Sequence, residues 1–214
     1  MNSTQIVLTV VIAVAAYFFG GLSPAMLISR TVTGRDIRET GSGNAGATNV
    51  MRSIGVRAGL LTFLLDVLKG VAPTLVAMLV VDRSTTFGLS TPYAAYLAGF
   101  MVILGHTFPM LLGFRGGKGV ATSLGMFFVL QPLATVVLLL FALGLMFATG
   151  YVSLGSVASI ALVPICGFLI PGIGWQFGVF GLFVASLILW KHRENIERLI
   201  RGTENKIDPK KLKK

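Results

Sequence analysis

Long apolar runs separated by short polar, glycine-rich segments make up most of the chain. Three runs, at about residues 4–28, 54–81 and 91–113, can cross a bilayer as helices, because a helix rises about 1.5 Å per residue and the hydrocarbon core is about 30 Å thick. The second run is longer than that core, so we expect it to tilt or project. The runs are continuous rather than alternating, which argues against a transmembrane barrel. The pattern predicts an all-α integral membrane protein.

The second half of the chain is divided more finely. Breaks at Gln131 and Pro132, at "GYVSLGS" (150–156) and at "PGIG" (171–174) leave apolar pieces of about 13, 17, 14 and 16 residues. Pro132 either kinks one long helix or separates two short ones, which gives five or seven spans. We favour seven transmembrane helices, some of them short, because every polar glycine-rich segment then lies on one side.

Basic residues are concentrated in a few places. Sixteen of the eighteen Lys and Arg residues fall in segments 30–57, 115–118 and 191–214. This positive-inside distribution predicts an N-terminus outside and a cytosolic C-terminus. It also accounts for the net charge of +10 without nucleic acid, since no soluble basic domain is present to bind it. The first run lacks a preceding basic region and is too long for a signal-peptide core, so we expect a retained span.

These patterns predict the following organisation. One polytopic membrane domain covers residues 1–190, with cytosolic loops near 29–53 and 105–118 and a polar turn at 150–156, and a basic cytosolic tail covers 191–214.

The tail changes abruptly in composition. Ile196, Leu199 and Ile200 recur at helical spacing among charged residues, which predicts an amphipathic helix on the membrane surface. Membrane lipids, anionic ones in particular, are the expected partners of this helix. The single cysteine, Cys166, cannot form an intrachain disulfide and is expected to be a small buried hydrophobic residue.

The segment "GSGNAGATNVMR" (41–52) is the first that suits a polar ligand. It offers hydrogen-bonding side chains among small residues, followed by an arginine that can bind a phosphate or carboxylate in bidentate fashion; these side chains are Ser42, Asn44, Thr48, Asn49 and Arg52. Ser42 or Asn44 could instead cap a short helix. Capping explains one side chain but not the whole group, so the segment indicates anion binding.

The segment "GFRGGKG" (113–119) is the second. It is not a nucleotide-binding P-loop, because Leu112 occupies the place of the first glycine and Gly119 that of the magnesium-binding Ser or Thr. Lys118 and the N-terminus of a helix starting near Val120 would still form a phosphate cradle. The alternative is a flexible turn whose basic residues only fix the topology.

Further polar residues are scattered. Asp66 and Lys69 share one helix face inside the second span, where an unpaired charge is costly, so we expect them to pair or to hold a cytosolic loop. Other candidates follow the later apolar pieces: Tyr151, Ser153, Ser156, His192, Asn195 and Glu204. No cluster has the spacing of metal ligands, so neither a metal nor another cofactor is expected.

Together, "GSGNAGATNVMR", "GHTFPMLLGFRGGKGVATSLG" and "HRENIERLIRGTENK", with "LDVLKG" and "GYVSLGS" as further matches, resemble the acyl-phosphate:glycerol-3-phosphate acyltransferase (PlsY) family. The resemblance runs from about residue 20 to 206. It implies transfer of a fatty acyl group from acyl phosphate to the 1-hydroxyl of glycerol 3-phosphate, which gives lysophosphatidic acid. It also implies seven spans, an outward N-terminus and an active site that faces the cytosol, in a bacterial cytoplasmic (inner) membrane.

The resemblance assigns roles position by position. Ser42 and Arg52 match the important serine and arginine of the first family motif. The glycerol 3-phosphate motif falls on Gly113, Gly116, Gly117, Lys118 and Gly119. The C-terminal histidine, asparagine and structural glutamate fall on His192, Asn195 and Glu204.

A mechanism follows as a hypothesis. Arg52, Lys118, Asn44 and the glycine amides would bind phosphate, while Ser42, Ser153 and Asn195 would orient the substrate and the carbonyl oxygen. His192 would accept the hydroxyl proton or orient a phosphate oxygen that does so. A monomer is expected. The competing class is a transporter of a small phosphorylated anion, and a third reading is a non-catalytic lipid anchor.

Overall fold

In a computed structural model, the structure describes residues 3–82 and 92–207, which form helices joined by short connections. The start of the third predicted span at residue 91 and the end of the predicted tail, 208–214, lie outside the described residues. Two compact units are present, one comprising the first six α-helices and the other the remaining four. The single membrane domain expected over 1–190 stays a prediction.

The first unit carries both glycine-rich loops. Its helices are α1 (Ser3–Gly21), α2 (Pro24–Thr33), α3 (Ala47–Ser53), α4 (Val56–Val80), α5 (Tyr93–Thr107) and α6 (Val120–Leu130), with 3₁₀ turns at Ile37–Glu39 and Met110–Leu112. The first predicted span is broken at Ser23, whose hydroxyl accepts a hydrogen bond from the Met26 amide, and Pro24 starts a second helix. The predicted loop near 29–53 contains the end of α2, the first 3₁₀ turn and α3.

Glycines allow close helix contacts within the first unit. Helix α1 packs on α5, and α4 packs on α6. In each pair both helices carry a glycine against a backbone carbonyl of the other, so close that an added Cβ would overlap it; the pairs are Gly20 with Val102, Gly105 with Tyr17, Gly70 with Thr122, and Gly125 with Val67. In lipid, such small residues let helix backbones approach closely.

The second unit contains α7 (Pro132–Thr149), α8 (Val152–Leu169), α9 (Trp175–Lys191) and α10 (Arg193–Ile200). Gln131 has a non-helical backbone, with φ −147° and ψ 72°, so α6 and α7 are separate helices rather than one kinked helix. The polar turn predicted at 150–156 is wrong in extent, because α8 already begins at Val152. The helix predicted in the tail is confirmed as α10.

Several helices are apolar and long enough to cross a membrane. Among the described residues there are five such segments, namely Ser3–Thr33, Val56–Val80, Tyr93–Leu112, Pro132–Thr149 and Val152–Leu169, and α6 and α9 are shorter apolar helices. The protein is thus an all-helical, multi-pass integral membrane protein. The count of seven spans and the orientation of the termini stay predictions.

Candidate active site

Asn49, at the start of α3, organises the first glycine-rich loop. Its side-chain amide nitrogen donates its two protons to three carbonyls, those of Ile37 (3.1 Å), Thr40 (3.0 Å) and Asn44 (3.0 Å), so one proton is shared between two of them. Its Oδ1 accepts a hydrogen bond from the Ser42 amide at 2.9 Å. The side chain is 2% exposed. Sequence analysis grouped Asn49 with ligand-binding side chains, but the structure uses its amide to fix the loop backbone.

The side chain of Asn49 leaves no space for a side chain at Gly41. This residue has φ +58°, and an added Cβ would overlap Asn49 Oδ1. Ser42 and Arg52 are exposed and Asn44 is half-buried, so these three predicted site residues border solvent. An apolar cluster that includes Ile37, Ala45 and Val50 packs beneath the loop.

Arg38 joins the first loop to the second. Its guanidinium pairs with Asp36, with an Nη2 to Oδ2 distance of 2.7 Å, and its Nη1 donates to the Leu112 carbonyl at 2.9 Å. The hydrogen bond from Arg38, together with its charge, lowers the pKa of Asp36 against the opposing effect of burial. Arg38 thereby holds the two predicted anion-binding segments of this unit together.

The second loop folds back on the end of α5. The Gly117 amide donates to the His106 carbonyl at 3.1 Å, and the Gly116 amide donates to the Thr107 carbonyl at 3.3 Å. These two carbonyls lie at a helix C-terminus, where carbonyl groups have no amide donor within the helix. The amides of Gly116 and Gly117 are therefore hydrogen-bonded within the protein. These glycines shape the loop rather than donate their N–H groups to a ligand.

The rest of the second loop leads into α6 as predicted. Lys118 is half-buried, Gly119 has φ +87°, and α6 begins at Val120. The first amides of a helix have no partner inside it and carry the positive end of the helix dipole. The position of this helix start is as predicted, and anion binding there stays a prediction.

A depression of about 600 Å³ lies between the two loops of the first unit. It is lined by Asp36, Arg38, Glu39, Gly43, Leu112, Gly113, Arg115 and Gly116. Sequence analysis missed Arg38 and Arg115 as site residues, although "FRGGKG" places Arg115 beside the predicted glycines. Ser42, Arg52 and Lys118 are not among the lining residues.

Asp66 and Lys69 form the predicted pair, and His106 joins them. Lys69 Nζ lies 2.9 Å from Asp66 Oδ1, and His106 Nδ1 lies 3.5 Å from the same oxygen. Lys69 Nζ also donates to the Leu22 carbonyl at 2.9 Å. All three side chains are buried. The His106 contact could not be predicted from the sequence, because it arises between α4 and α5.

In the second unit, Glu204 accepts hydrogen bonds from two predicted site residues. Its Oε1 accepts hydrogen bonds from Ser153 Oγ (3.0 Å) and Asn195 Nδ2 (2.8 Å), and its Oε2 accepts one from Arg198 Nε at 2.7 Å. Burial opposes ionisation of Glu204, but these hydrogen bonds and the charge of Arg198 lower its pKa overall.

His192 joins α9 to α10 and is 4% exposed. Its Nδ1 lies 2.8 Å from the Ile188 carbonyl. Because a carbonyl oxygen only accepts, this contact requires a proton on Nδ1, which leaves the lone pair of the neutral imidazole on Nε2. Among residues 3–82 and 92–207, no group of three or more His, Cys, Asp or Glu side chains is arranged to hold a metal ion.

The fold thus defines a multi-pass membrane protein with glycine-rich loops suited to anions. The family model described as glycerol-3-phosphate acyltransferase matches residues 10–202, and the chain belongs to this family. A glycerol-3-phosphate acyltransferase of Clostridioides difficile is 45% identical over 94% of this chain and 97% of its own length. One of Alkaliphilus metalliredigens is 38% identical over 95% of this chain and 98% of its own length.

Solved structures agree with the sequence relatives. The crystal structure of PlsY (YgiH), an integral membrane glycerol 3-phosphate acyltransferase, in its glycerol 3-phosphate form has a TM-score of 0.84 at 34% identity, covering 94% of this chain and 96% of that one. Its lysophosphatidic acid form has a TM-score of 0.81 at 32% identity, covering 95% and 97%. The family resemblance derived from the sequence is confirmed.

Proposed function

We propose that this protein transfers a fatty acyl group from acyl phosphate to the 1-hydroxyl of glycerol 3-phosphate, giving lysophosphatidic acid and phosphate. This would be the first committed step of membrane phospholipid synthesis. Family membership supports the acceptor, since the relatives are named for it, and a solved relative is described in a lysophosphatidic acid form. The donor rests on the resemblance of the motifs.

One observation carries the proposal for the first unit. The depression is lined by Gly43 of the first motif and by Gly113 and Gly116 of the second, and the Arg38 to Leu112 hydrogen bond joins the two loops. We assign the substrate phosphates to this loop pair and the adjoining start of α6. The proposed phosphate-binding residues are Arg52, Lys118, Asn44, Gly113, Gly116, Gly117 and Gly119, where the glycines set the loop backbone.

The chemistry needs no covalent enzyme intermediate. Acyl phosphate is an activated mixed anhydride. The glycerol hydroxyl oxygen attacks the acyl carbon, the bond between that carbon and the bridging oxygen breaks, and phosphate leaves with the electron pair. The hydroxyl proton passes to Nε2 of His192 or to a phosphate oxygen. The enzyme's part is to orient two anionic head groups and to offset their repulsion.

The contacts of Glu204 refine three roles. Ser153 donates its only hydroxyl proton to Glu204, so we assign Ser153 a positioning role. Asn195 keeps the role that the family resemblance implies, which is to orient substrate, and its bond to Glu204 holds it in place. Glu204 is the structural acceptor that holds both. Ser42, exposed on the first loop, is assigned to substrate orientation.

For topology we propose seven spans in the bacterial cytoplasmic membrane, with the N-terminus outside and the loops in the cytosol. The break at Gln131 supports division of 120–149 into two spans. A cysteine placed at Tyr151, which precedes α8, in a chain with Cys166→Ala, is expected to react with an impermeant reagent from the cytosolic side. Reaction from outside alone would overturn this topology.

The direct test uses purified protein in detergent with acyl phosphate and glycerol 3-phosphate. Equal amounts of lysophosphatidic acid and phosphate are expected. Product formed without vesicles excludes a role in transport alone, whereas no product from folded protein contradicts the proposal. Donor choice is tested by replacing acyl phosphate with an acyl thioester, which is expected to give little product.

Single substitutions test the assigned residues. Arg52→Ala and Lys118→Ala should raise KM for glycerol 3-phosphate steeply, with Arg57→Ala, an exposed arginine at the start of α4, as the matched control. His192→Ala should lower kcat by about 10²-fold or more if His192 is the base. A small loss would assign the proton to the substrate phosphate.

A further inference from the structure

The last turn of α5 supports the second glycine-rich loop in two ways. The carbonyls of His106 and Thr107 accept the amides of Gly117 and Gly116, at 3.1 and 3.3 Å. The side chain of His106 also lies against the loop, since an added Cβ on Gly117 would overlap His106 Nε2. Only glycine fits beside the ring, so ring and loop have complementary shapes.

The opposite edge of the same ring faces a carboxylate. His106 is 7% exposed, and its Nδ1 lies 3.5 Å from Asp66 Oδ1. Asp66 therefore orients the imidazole, whose other nitrogen contacts Gly117. A carboxylate behind an imidazole is a common way to fix ring orientation in proteins.

Asp66 is itself held firmly. Lys69 Nζ contacts it at 2.9 Å and also donates to the Leu22 carbonyl at 2.9 Å. The break after α1 leaves this carbonyl without its helical donor, because the Met26 amide bonds to Ser23 Oγ instead. Residues from α4, α5 and the α1–α2 connection thus form one buried group.

A purely structural explanation accounts for only part of this group. Lys69 and Asp66 already neutralise each other, so a third ionisable side chain in a dry environment adds a desolvation cost. A functional role for the His106 ring would account for this cost. The ring contacts the second glycine-rich loop, which leads to Lys118 and the start of α6.

We propose that His106 is a positioning residue for the substrate phosphate. Asp66 orients its ring, and the ring together with the backbone carbonyl sets the path of Gly116 and Gly117. That path determines where Lys118 and the first amides of α6 point. This inference rests on the proposed function, and it concerns binding of glycerol 3-phosphate rather than the acyl-transfer step.

The first test separates binding from turnover. In His106→Asn, which keeps a polar group towards Asp66 but lacks the edge against Gly117, and in His106→Ala, KM for glycerol 3-phosphate should rise about tenfold or more, which is about 1.4 kcal/mol. We expect kcat to stay within about threefold of wild type. An unchanged KM for glycerol 3-phosphate, or a loss in kcat alone, would overturn the proposal.

The matched control is Thr74→Val, which removes a buried hydroxyl that bonds to the Gly70 carbonyl within α4. It should leave both KM values unchanged. If wild-type protein and this control make no product, the proposed function fails. If both are active and the His106 variants keep a normal KM, only the present inference fails.

A second measurement uses the unaltered protein, in case the variants do not fold. The chain contains two histidines, His106 and His192, so ¹⁵N-histidine labelling gives a simple spectrum, and His192→Gln assigns it. Addition of glycerol 3-phosphate should shift the His106 Nε2 resonance. No shift at saturating glycerol 3-phosphate would contradict the proposal independently of the kinetics.

Discussion

Two buried side chains, Asn49 in the first unit and Glu204 in the second, organise their surroundings in different ways. Asn49 is neutral and bonds to backbone groups of four residues in the first loop. Glu204 is charged and bonds to the side chains of Ser153, Asn195 and Arg198. The first arrangement fixes the path of the chain, whereas the second fixes individual side chains, so the two should respond differently to substitution and to pH.

The largest expected effect follows removal of the charged acceptor. Glu204→Ala leaves three donors without their acceptor and should lower the free energy of unfolding by about 3 kcal/mol. Thermal unfolding in detergent should show a drop in Tm of about 6–12 °C. The control is Glu197→Ala, because the exposed Glu197–Arg201 pair at the C-terminal end of α10 should contribute at most about 0.5 kcal/mol. Equal shifts in the two variants would refute the special role of Glu204.

Removal of the neutral Asn49 side chain should lower the free energy of unfolding slightly less. Asn49→Ala deprives three loop carbonyls of a donor, but water can reach part of this loop, so we expect a loss of about 2 kcal/mol. Trypsin should then cut faster at Arg35 and Arg38. Ser53→Ala is the control, since its hydroxyl lies 3.5 Å from Asn49 Oδ1, too far for a strong bond. An unchanged rate of cleavage in Asn49→Ala would count against this account.

A pair of glycine substitutions isolates the close contact with Asn49. Gly34 and Gly41 both have positive φ, +70° and +58°, but a Cβ on Gly34 meets open space while one on Gly41 overlaps Asn49 Oδ1. Gly34→Ala should cost about 1 kcal/mol for the left-handed backbone. Gly41→Ala should cost about 1–2 kcal/mol more, because four hydrogen bonds hold the Asn49 side chain in place. Chemical denaturation of the two variants measures the difference, and similar losses would show that the loop adjusts.

The smallest effect is a dependence on pH that substitution of Glu204, but not of Asn49, should show. The pKa of Glu204 is lowered from its ordinary value of 4.5 by its hydrogen bonds. Its stabilisation is therefore complete above pH 4.5 and is lost as the pH falls through the lowered value. The Tm difference between wild type and Glu204→Gln should narrow on acidification below that point, while the difference for Asn49→Ala stays constant. A Tm difference between wild type and Glu204→Gln that is constant down to pH 3 would contradict the lowered pKa of Glu204.

The sequence predicted features that depend on local pattern. Apolar runs located the helices, the spacing of Asp66 and Lys69 predicted their pair, and the glycines before Val120 predicted where α6 begins. These inferences succeed because helix periodicity and helix starts depend on nearby residues.

Other features depend on contacts between distant segments and were not predictable. Ser153 meets Glu204 across 51 residues, and no local signal identifies that pairing. The hydrogen bonds from the Gly116 and Gly117 amides to carbonyls of α5 depend on how the second loop folds back. The break at Ser23 was overlooked because the apolar run continues through it, although Ser23 followed by Pro24 is a helix-start signal.

The reciprocal glycine contacts of α1 with α5 and of α4 with α6 limit how this protein can evolve. Each backbone carbonyl occupies the place of a missing Cβ, so the helices cannot slide past each other, and even alanine is excluded there. Leucines that face the surface, such as Leu60 and Leu64 on α4, should by contrast exchange freely with other apolar residues. A complete mutational scan of α4 should therefore find its least replaceable spanning positions to include Gly70, a residue with no functional group at all.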